Sequence, residues 1–589
     1  MIKYLISIQL LMFFCINASA QLSFSSIPSD LQFIPRNSDN VGVILISGNY
    51  NDSTYNQIRV KLSDNSQNMI LKDSVINIAN NGNFLINLLI APALKEYNID
   101  IFLKNNTNEE HVKTVKDIVC GDIFIVNGQS NALASLALDD SLTASPGGET
   151  QNLLYSNKYC RSIGFNLSTA KYNEASGTPL DKDFTFARPS CIWWEIGFVG
   201  AWAMKLQNEL ANTTNIPSCF VNGAFSGAKI DLLLPSKYPS DSAHLNLNIP
   251  YDRLLKKLNY HGLSHFVKGI FWHQGEADAL PELNPIAYTE KFENLYNSWK
   301  NDYPNAEKIF FFQINTGCSP FESITGLFRD LQVKIAEKHD DIAIMSTVGN
   351  TYQDRNNDNC HFSTKGYNNI ADKIAPLVKK YIYGFEYADS LILPPRIKKI
   401  YISQPDEICL HFNMPINLQL SESIKGFTYY MKDYFYGYNY SALKLTGVRS
   451  SGNNVFLQFP ENSLIPRKIT YLPNNYAYDN LYCGPWILNS KNTLGALSFF
   501  EFPVTFLPQT TDITIYPNPA KETVIIGLKE KFSENTITLS DMEGRTIIEF
   551  TDKENTEIYI DTKGLLQGVY LIKIKNSSFS VIKKLIINH

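Results

Sequence analysis

Gly121-Asp-Ile-Phe-Ile-Val-Asn-Gly-Gln-Ser-Asn131 is the stretch on which the fold turns. Ile123 to Val126 is an apolar, mostly β-branched run, the composition of a strand buried on both faces. It stops at Asn127-Gly128, a turn signal, and the polar Gln129-Ser130-Asn131 follows at once. That arrangement sets Ser130 at the carboxyl end of a central strand, where open α/β sheets hold their ligands. A serine there is either a helix N-cap or a nucleophile.

Outward from this strand, the chain alternates strand-like and helical runs. Ile270 to Trp272, Lys308 to Ile314 and Ile342 to Ser346 have strand composition. Phe292, Leu295, Tyr296 and Trp299 recur at helical spacing, as do Tyr367, Ile370, Ala371, Ile374 and Val378. Alternation of this kind implies βαβ units and a parallel, doubly wound sheet over residues 118–388. The stretch from Ser135 to Pro189 shows little periodicity and reads as a long functional loop walling the site.

On either side the pattern changes. Met1 to Ala20 reads as a signal peptide, with Lys3, an apolar run and Ala18-Ser19-Ala20 before Gln21. Residues 21–117 alternate short strand-type runs with Asn/Asp/Ser turns, as a β-sandwich does. Leu393-Pro394-Pro395 marks a linker to a second β-rich region, 396–506, and a further β-unit occupies 511–589. The whole is a multidomain chain whose central α/β unit is flanked by β-sandwich domains.

Composition excludes some classes. With 589 residues, 44% apolar content and a formal net charge of −5, the chain has ample core and no basic cluster for nucleic acid. No stretch after the signal segment is long and apolar enough to span a membrane. Eight cysteines remain in the exported chain, an even number that permits disulfides without fixing their pairing, and Cys409 with Cys483 could bridge the 396–506 region. No His/Cys grouping has zinc spacing, so neither a metal nor another cofactor is expected.

Three further segments carry chemistry. Gly227, in Asn222-Gly-Ala-Phe-Ser-Gly-Ala-Lys-Ile230, follows a strand-like run and can offer its backbone N–H to a ligand. Gly269-Ile-Phe-Trp-His-Gln-Gly-Glu276 ends a strand in polar side chains. There Gln274 could donate from its amide, His273 could act as a base, and Glu276 could orient a neighbour. In Asp358-Asn-Cys-His361-Phe, a carboxylate stands three residues before a histidine. It could hold Nδ1–H and leave Nε2 free to take a serine proton. Taken together, these favour the nucleophile reading of Ser130.

At Gly128-Gln-Ser-Asn131, Trp272-His-Gln-Gly-Glu276 and Asp358-x-x-His-Phe362 the sequence resembles the SGNH (GDSL-like) hydrolases. Within them it is most similar to the sialate O-acetylesterase and acetylxylan esterase branch. It departs at Ser226-Gly227-Ala228, where relatives show Gly-Gly-Thr. The resemblance implies a three-layer, flavodoxin-like α/β fold with Ser130 as nucleophile, His361 as base and Asp358 as its orienter. It also implies an oxyanion hole from the Ser130 N–H, the Gly227 N–H and the Gln274 side chain. Asn131, His273 and Glu276 are supporting residues, Glu276 being the rival orienter. The implied substrate is an O-acetylated sugar, a sialic acid or a plant polysaccharide. The contrasting expectation is a surface glycan-binding or adhesion protein that has lost activity. Residues 511–589 resemble the type IX secretion sorting domain through Tyr516-Pro-Asn-Pro519, Asp541-Met-Glu-Gly-Arg545 and Gly568-Val-Tyr-Leu571. That implies delivery by the type IX machinery to the cell surface or the medium.

Overall fold

The computed structural model describes residues 22–67, 69–79, 82–135, 153–164, 183–189, 196–236, 246, 248–316, 318, 324–351, 360–424, 426–474, 484–506, 513–529, 531, 534–576 and 580–589. The signal-peptide segment, Asp358, Cys483 and most of 135–189 lie outside these residues.

The long strand β1 (Glu109–Gly128) joins two architectures. Its first half pairs antiparallel with Tyr97–Lys104 in the N-terminal sandwich. Its second half lies between β3 (Ser218–Asn222) and β4 (Val267–His273), parallel to both. Residues 117 and 118 both lie inside this strand. The sandwich faces one sheet, Leu22–Ser26, Gly42–Tyr50 and Asn83–Ile90, against a second holding Gln57–Asp64 and Tyr97–Lys104. Ile44, Ile86, Val60 and Ile99 share one core between them.

The central sheet continues with β2 (Cys160–Ile163) beyond β3, and with β5 (Lys308–Gln313) and β6 (Ile342–Ser346) beyond β4, all parallel to their neighbours. Strand β1 follows the apolar run for the physical reason read from it. Ile123 and Ile125 enter one core and Phe124 and Val126 the other, so both faces are dry. The first core is completed by helices α3 (Pro250–Tyr260), α4 (Pro285–Asp302) and α5 (Thr325–Ala336). The second is completed by α2 (Ala201–Thr214) and α6 (Thr364–Tyr383). Helix α4 starts where Asn284 caps the Ile286 and Ala287 N–H groups and Pro285 takes a position that needs no donor.

Two expectations are corrected here. The 135–189 stretch is not wholly loop: β2 and its antiparallel neighbour Phe184–Phe186 extend the central sheet. Cys409 is a buried free thiol, so it does not bridge the 396–506 region.

That region is packed onto the α/β unit. Val348 belongs to its core, and the Trp486 indole donates to the Asn350 carbonyl at 3.1 Å. Gln313, the last residue of β5, accepts from Ser498 N at 3.2 Å. Residues 513–589 form two further sheets around a core of their own. No helix among the described residues is long and apolar enough to cross a membrane.

Candidate active site

Strand β1 ends in a turn only glycine fits. Gly128 has φ +133°, and a Cβ on it would land 2.1 Å from the His273 carbonyl oxygen. That oxygen accepts instead from Gln129 N at 3.0 Å. Gln129 is then the N-cap of the short helix α1 (Ser130–Leu133), with no side-chain capping bond. Ser130 is therefore not the cap. Its hydroxyl, partly exposed, lies 2.8 Å from Nε2 of His361. His361 stands two residues before Ser363, whose hydroxyl accepts from Gly366 N and caps α6. With its ring proton on Nδ1, His361 accepts the Ser130 hydroxyl proton at Nε2.

Behind this pair is a buried polar frame. The Asn131 amide donates to Glu276 Oε1 at 2.7 Å and to the Cys360 carbonyl at 3.1 Å, and its own oxygen accepts from Tyr367 OH at 3.0 Å. One side chain thus joins the serine helix to the residue before His361. His273, fully buried, is stacked on Phe312 with ring centroids 5.0 Å apart, and its Nε2 is 3.1 Å from Glu276 Oε1. Burial pushes the Glu276 carboxyl upward, but the adjacent His273 and the Asn131 bond outweigh it and hold the group below its ordinary value. Among the described residues Glu276 accepts a hydrogen bond from Asn131 and lies 3.1 Å from His273 Nε2. A disulfide, Cys318–Cys360, fastens the chain leaving β5 to the residue beside His361, and Cys318 N donates to the Glu276 carbonyl at 3.2 Å.

The two backbone donors expected at an oxyanion are available. Neither Ser130 N nor Gly227 N has an acceptor among the described residues. Gly227 is exposed with φ +68°, and a Cβ there would meet nothing within 4 Å. The loop bearing it is laid against the serine loop by Phe225 N, which donates to the Gly128 carbonyl at 3.0 Å.

Gln274, expected as the third donor, has its amide bonded within the protein. Its amide donates to the Ala228 carbonyl at 3.1 Å and to Asp278 Oδ2. Its oxygen accepts from Tyr288 OH at 2.8 Å. Both N–H bonds are used inside the protein, because the acceptors that surround a fully buried amide must be satisfied. Asp358, the expected orienter, lies outside the described residues.

The sequence reading passed over three contributors. The buried side-chain oxygen of Gln129 accepts from Gly275 N and Ala277 N, each at 3.1 Å. Helical spacing marks Tyr367 as a core position and does not register its hydroxyl. Cys318 and Cys360 were visible as two of an even set.

Residues 120–380 match the family of carbohydrate esterases described as sialic acid-specific acetylesterases. This is a carbohydrate-esterase domain. Residues 514–588 match the secretion system C-terminal sorting domain, so the esterase carries its own export address. No curated protein sequence matches the chain. Among solved structures, a carbohydrate acetylesterase from Xanthomonas citri is similar at 16% identity and a TM-score of 0.53, over 81% of this chain and 99% of that one. The fold is thus shared well beyond the esterase domain. An Arabidopsis thaliana protein overlaps 44% of this chain and 99% of its own at 17% identity and a TM-score of 0.33. A family two carbohydrate esterase from Clostridium thermocellum overlaps 59% of this chain and 94% of its own at 11% identity and a TM-score of 0.25. The last two overlaps are too low to carry an argument.

Proposed function

We propose that the esterase acts through Ser130 and removes acetyl groups from sialic acids or related sugars, and that its catalytic unit is a three-layer SGNH (flavodoxin-like) α/β hydrolase. The observation that carries the reading is the 2.8 Å contact between Ser130 Oγ and His361 Nε2 at the carboxyl end of the central strand. His361 takes the hydroxyl proton as Oγ attacks the acetyl carbonyl. The carbonyl oxygen becomes an oxyanion held by the Ser130 and Gly227 N–H groups. His361 then returns the proton to the departing sugar hydroxyl, leaving an acetyl-serine. Water, deprotonated by the same imidazole, releases acetate and restores Ser130. Asp358, three residues before His361, is assigned to Nδ1–H. Glu276, already engaged by Asn131 and His273, is assigned to the frame.

Export follows from the two ends of the chain. The signal-peptide reading of residues 1–20 opens the inner-membrane route, and the sorting domain hands the protein to the type IX machinery for the surface or the medium. The deciding experiment is acetate release from a panel of acetylated sialic acids and xylo-oligosaccharides by the wild type and by Ser130→Ala. Turnover of the sialic acids lost in the variant is the expected result. Preference for the xylo-oligosaccharides would move the substrate to plant polysaccharide. No turnover of any ester by the wild type would leave a glycan-binding protein.

A further inference from the structure

We infer that Gln274 is a positioning residue: its buried amide ties the serine loop to the Gly227 loop and so sets the two backbone donors of the oxyanion pocket relative to each other. The inference rests on the serine-esterase reading above.

The two donors come from different strand ends. Ser130 N belongs to the turn after β1, and Gly227 N to the loop after β3. Gly227 lies in an exposed left-handed turn where a Cβ would meet nothing within 4 Å. What holds it is on either side. The carbonyl of Ala228, the next residue, accepts from Gln274 Nε2 at 3.1 Å. Farther along, Ile230 N donates to Asp278 Oδ2 at 2.8 Å, and that same oxygen accepts the second Gln274 bond. Gln274 and Asp278 therefore grip the stretch from Ala228 to Ile230 at two points through one shared oxygen.

The same amide also faces the serine loop. Gln274 Nε2 is 3.5 Å from Gln129 Oε1, and that oxygen accepts the N–H groups of Gly275 and Ala277 on either side of Glu276. Gln129 immediately precedes Ser130. The far end of the Gln274 side chain is fixed by Tyr288 OH at 2.8 Å, from helix α4. Its backbone carbonyl accepts from Gln332 on helix α5 at 3.1 Å. Fully buried and bonded at each polar atom, the side chain has one orientation. A group so placed transmits the rigidity of the helical layer to an exposed glycine turn that has none.

This chain has Ser226-Gly227-Ala228 at the donor turn. Neither flanking side chain makes a described hydrogen bond within the turn, so the hold on Gly227 comes through the backbone partners of Gln274 and Asp278. Donors preorganised at the oxyanion act on the transition state and not on substrate binding, and losing one costs roughly 10²- to 10³-fold in kcat. Loosening a donor should cost less than deleting it.

The test is steady-state kinetics with p-nitrophenyl acetate, together with inhibition by a trifluoromethyl ketone, whose hemiketal oxygen occupies the oxyanion position. Gln274→Ala should lower kcat about 10- to 100-fold with KM held within about threefold, and should weaken the ketone in proportion to kcat. Asp278→Ala should do the same. The double variant should be no worse than the poorer single one, because both act through one grip. Asp278→Asn, which keeps the shared acceptor oxygen, should recover most of the loss seen in Asp278→Ala.

A different pattern overturns the inference. If Gln274→Ala is impaired while Asp278→Ala matches wild type, the amide donates to the oxyanion directly. If the single losses multiply in the double variant, there is no common grip. If Gln274→Ala does not fold, Tyr288→Phe removes only the hydroxyl that orients the amide. It must show the same parallel fall of kcat and ketone affinity, or the inference fails. Ser130→Ala separates this from the parent reading: an active Ser130→Ala sinks the serine mechanism, whatever Gln274 does. An inactive Ser130→Ala with unaltered Gln274→Ala kinetics sinks only the present inference.

Discussion

Ser130 and Gln274 follow the ends of two neighbouring strands, where His273 of β4 stands opposite Gly128 of β1, and they are held in opposite ways. The serine hydroxyl is partly exposed and has one described partner, His361. The Gln274 amide is sealed from solvent and bonded to Ala228, Asp278 and Tyr288. A reacting group must be able to exchange its partner for a substrate atom, whereas a group that fixes geometry must have nothing left to exchange. Polar residues at neighbouring strand ends thus differ in whether their partners leave them free to exchange. Polarity at a strand end does not by itself distinguish them.

The sharpest break of this comparison is Ser130→Ala. Ester turnover should fall on the order of 10³-fold or more with an unchanged melting temperature, since the hydroxyl holds nothing up. Retained activity, or a large loss of stability, would place Ser130 among the braces. His361→Gln should match that loss.

Next in size is the brace beside His361. The Cys318–Cys360 bridge closes a loop across a sequence separation of 42. Replacing both cysteines by serine should cost about 4 kcal/mol of stability by loop-closure entropy. Chemical denaturation of the oxidised wild type and the double variant measures it directly. Equal midpoints would mean that the bridge does not constrain the chain.

A smaller effect belongs to Glu276, whose carboxyl is held below its ordinary value in the fold. A depressed folded pKa contributes stability that is fully present above the unfolded carboxylate value of about 4.3. That contribution is lost as pH falls through the folded value. Between pH 6 and pH 3 the wild type should therefore lose stability faster than Glu276→Gln. Parallel curves would remove the ion pair with His273 from the account.

The smallest expected effect is none. The 513–589 unit closes its own core, so truncation after Thr510 should leave esterase kinetics in vitro unchanged while export to the surface fails. Lost activity would attach the unit to the catalytic assembly, and intact export would end its sorting role.

What the sequence revealed and what it hid divide along the same physical line. Ile123 to Val126 and the helix face of Tyr367, Ile370 and Ile374 were legible because burial on a periodic element leaves a pattern in the chain itself. The place of Ser130 just past the strand end was legible from the turn signal at Asn127-Gly128. The internal bonds of Gln274 were not legible in the sequence, because the partners of an amide are set by its acceptors. Here those acceptors are the Ala228 carbonyl, 46 residues away in sequence, and a carboxylate at Asp278. Strand β2 was hidden because Arg161 interrupts it. Its guanidinium is buried against the carbonyls of Leu31, Asp117 and Lys158, the first two of which no local window contains. The Cys318–Cys360 pairing was hidden because spacing does not encode it.

Strand β1 has a consequence in time. Its first ten residues pair with a sandwich strand made just before them, and its last seven wait for β3 and β4, whose residues are synthesised roughly 90 to 150 positions later. During synthesis the sandwich can close early, leaving the Asp122–Gly128 backbone as an open, apolar sheet edge until its neighbours arrive. The strand end that precedes Ser130 is thus, in the nascent chain, a segment open to wrong pairing. Its two neighbouring strands, one on each side, protect the chain from aggregation as much as they frame the chemistry.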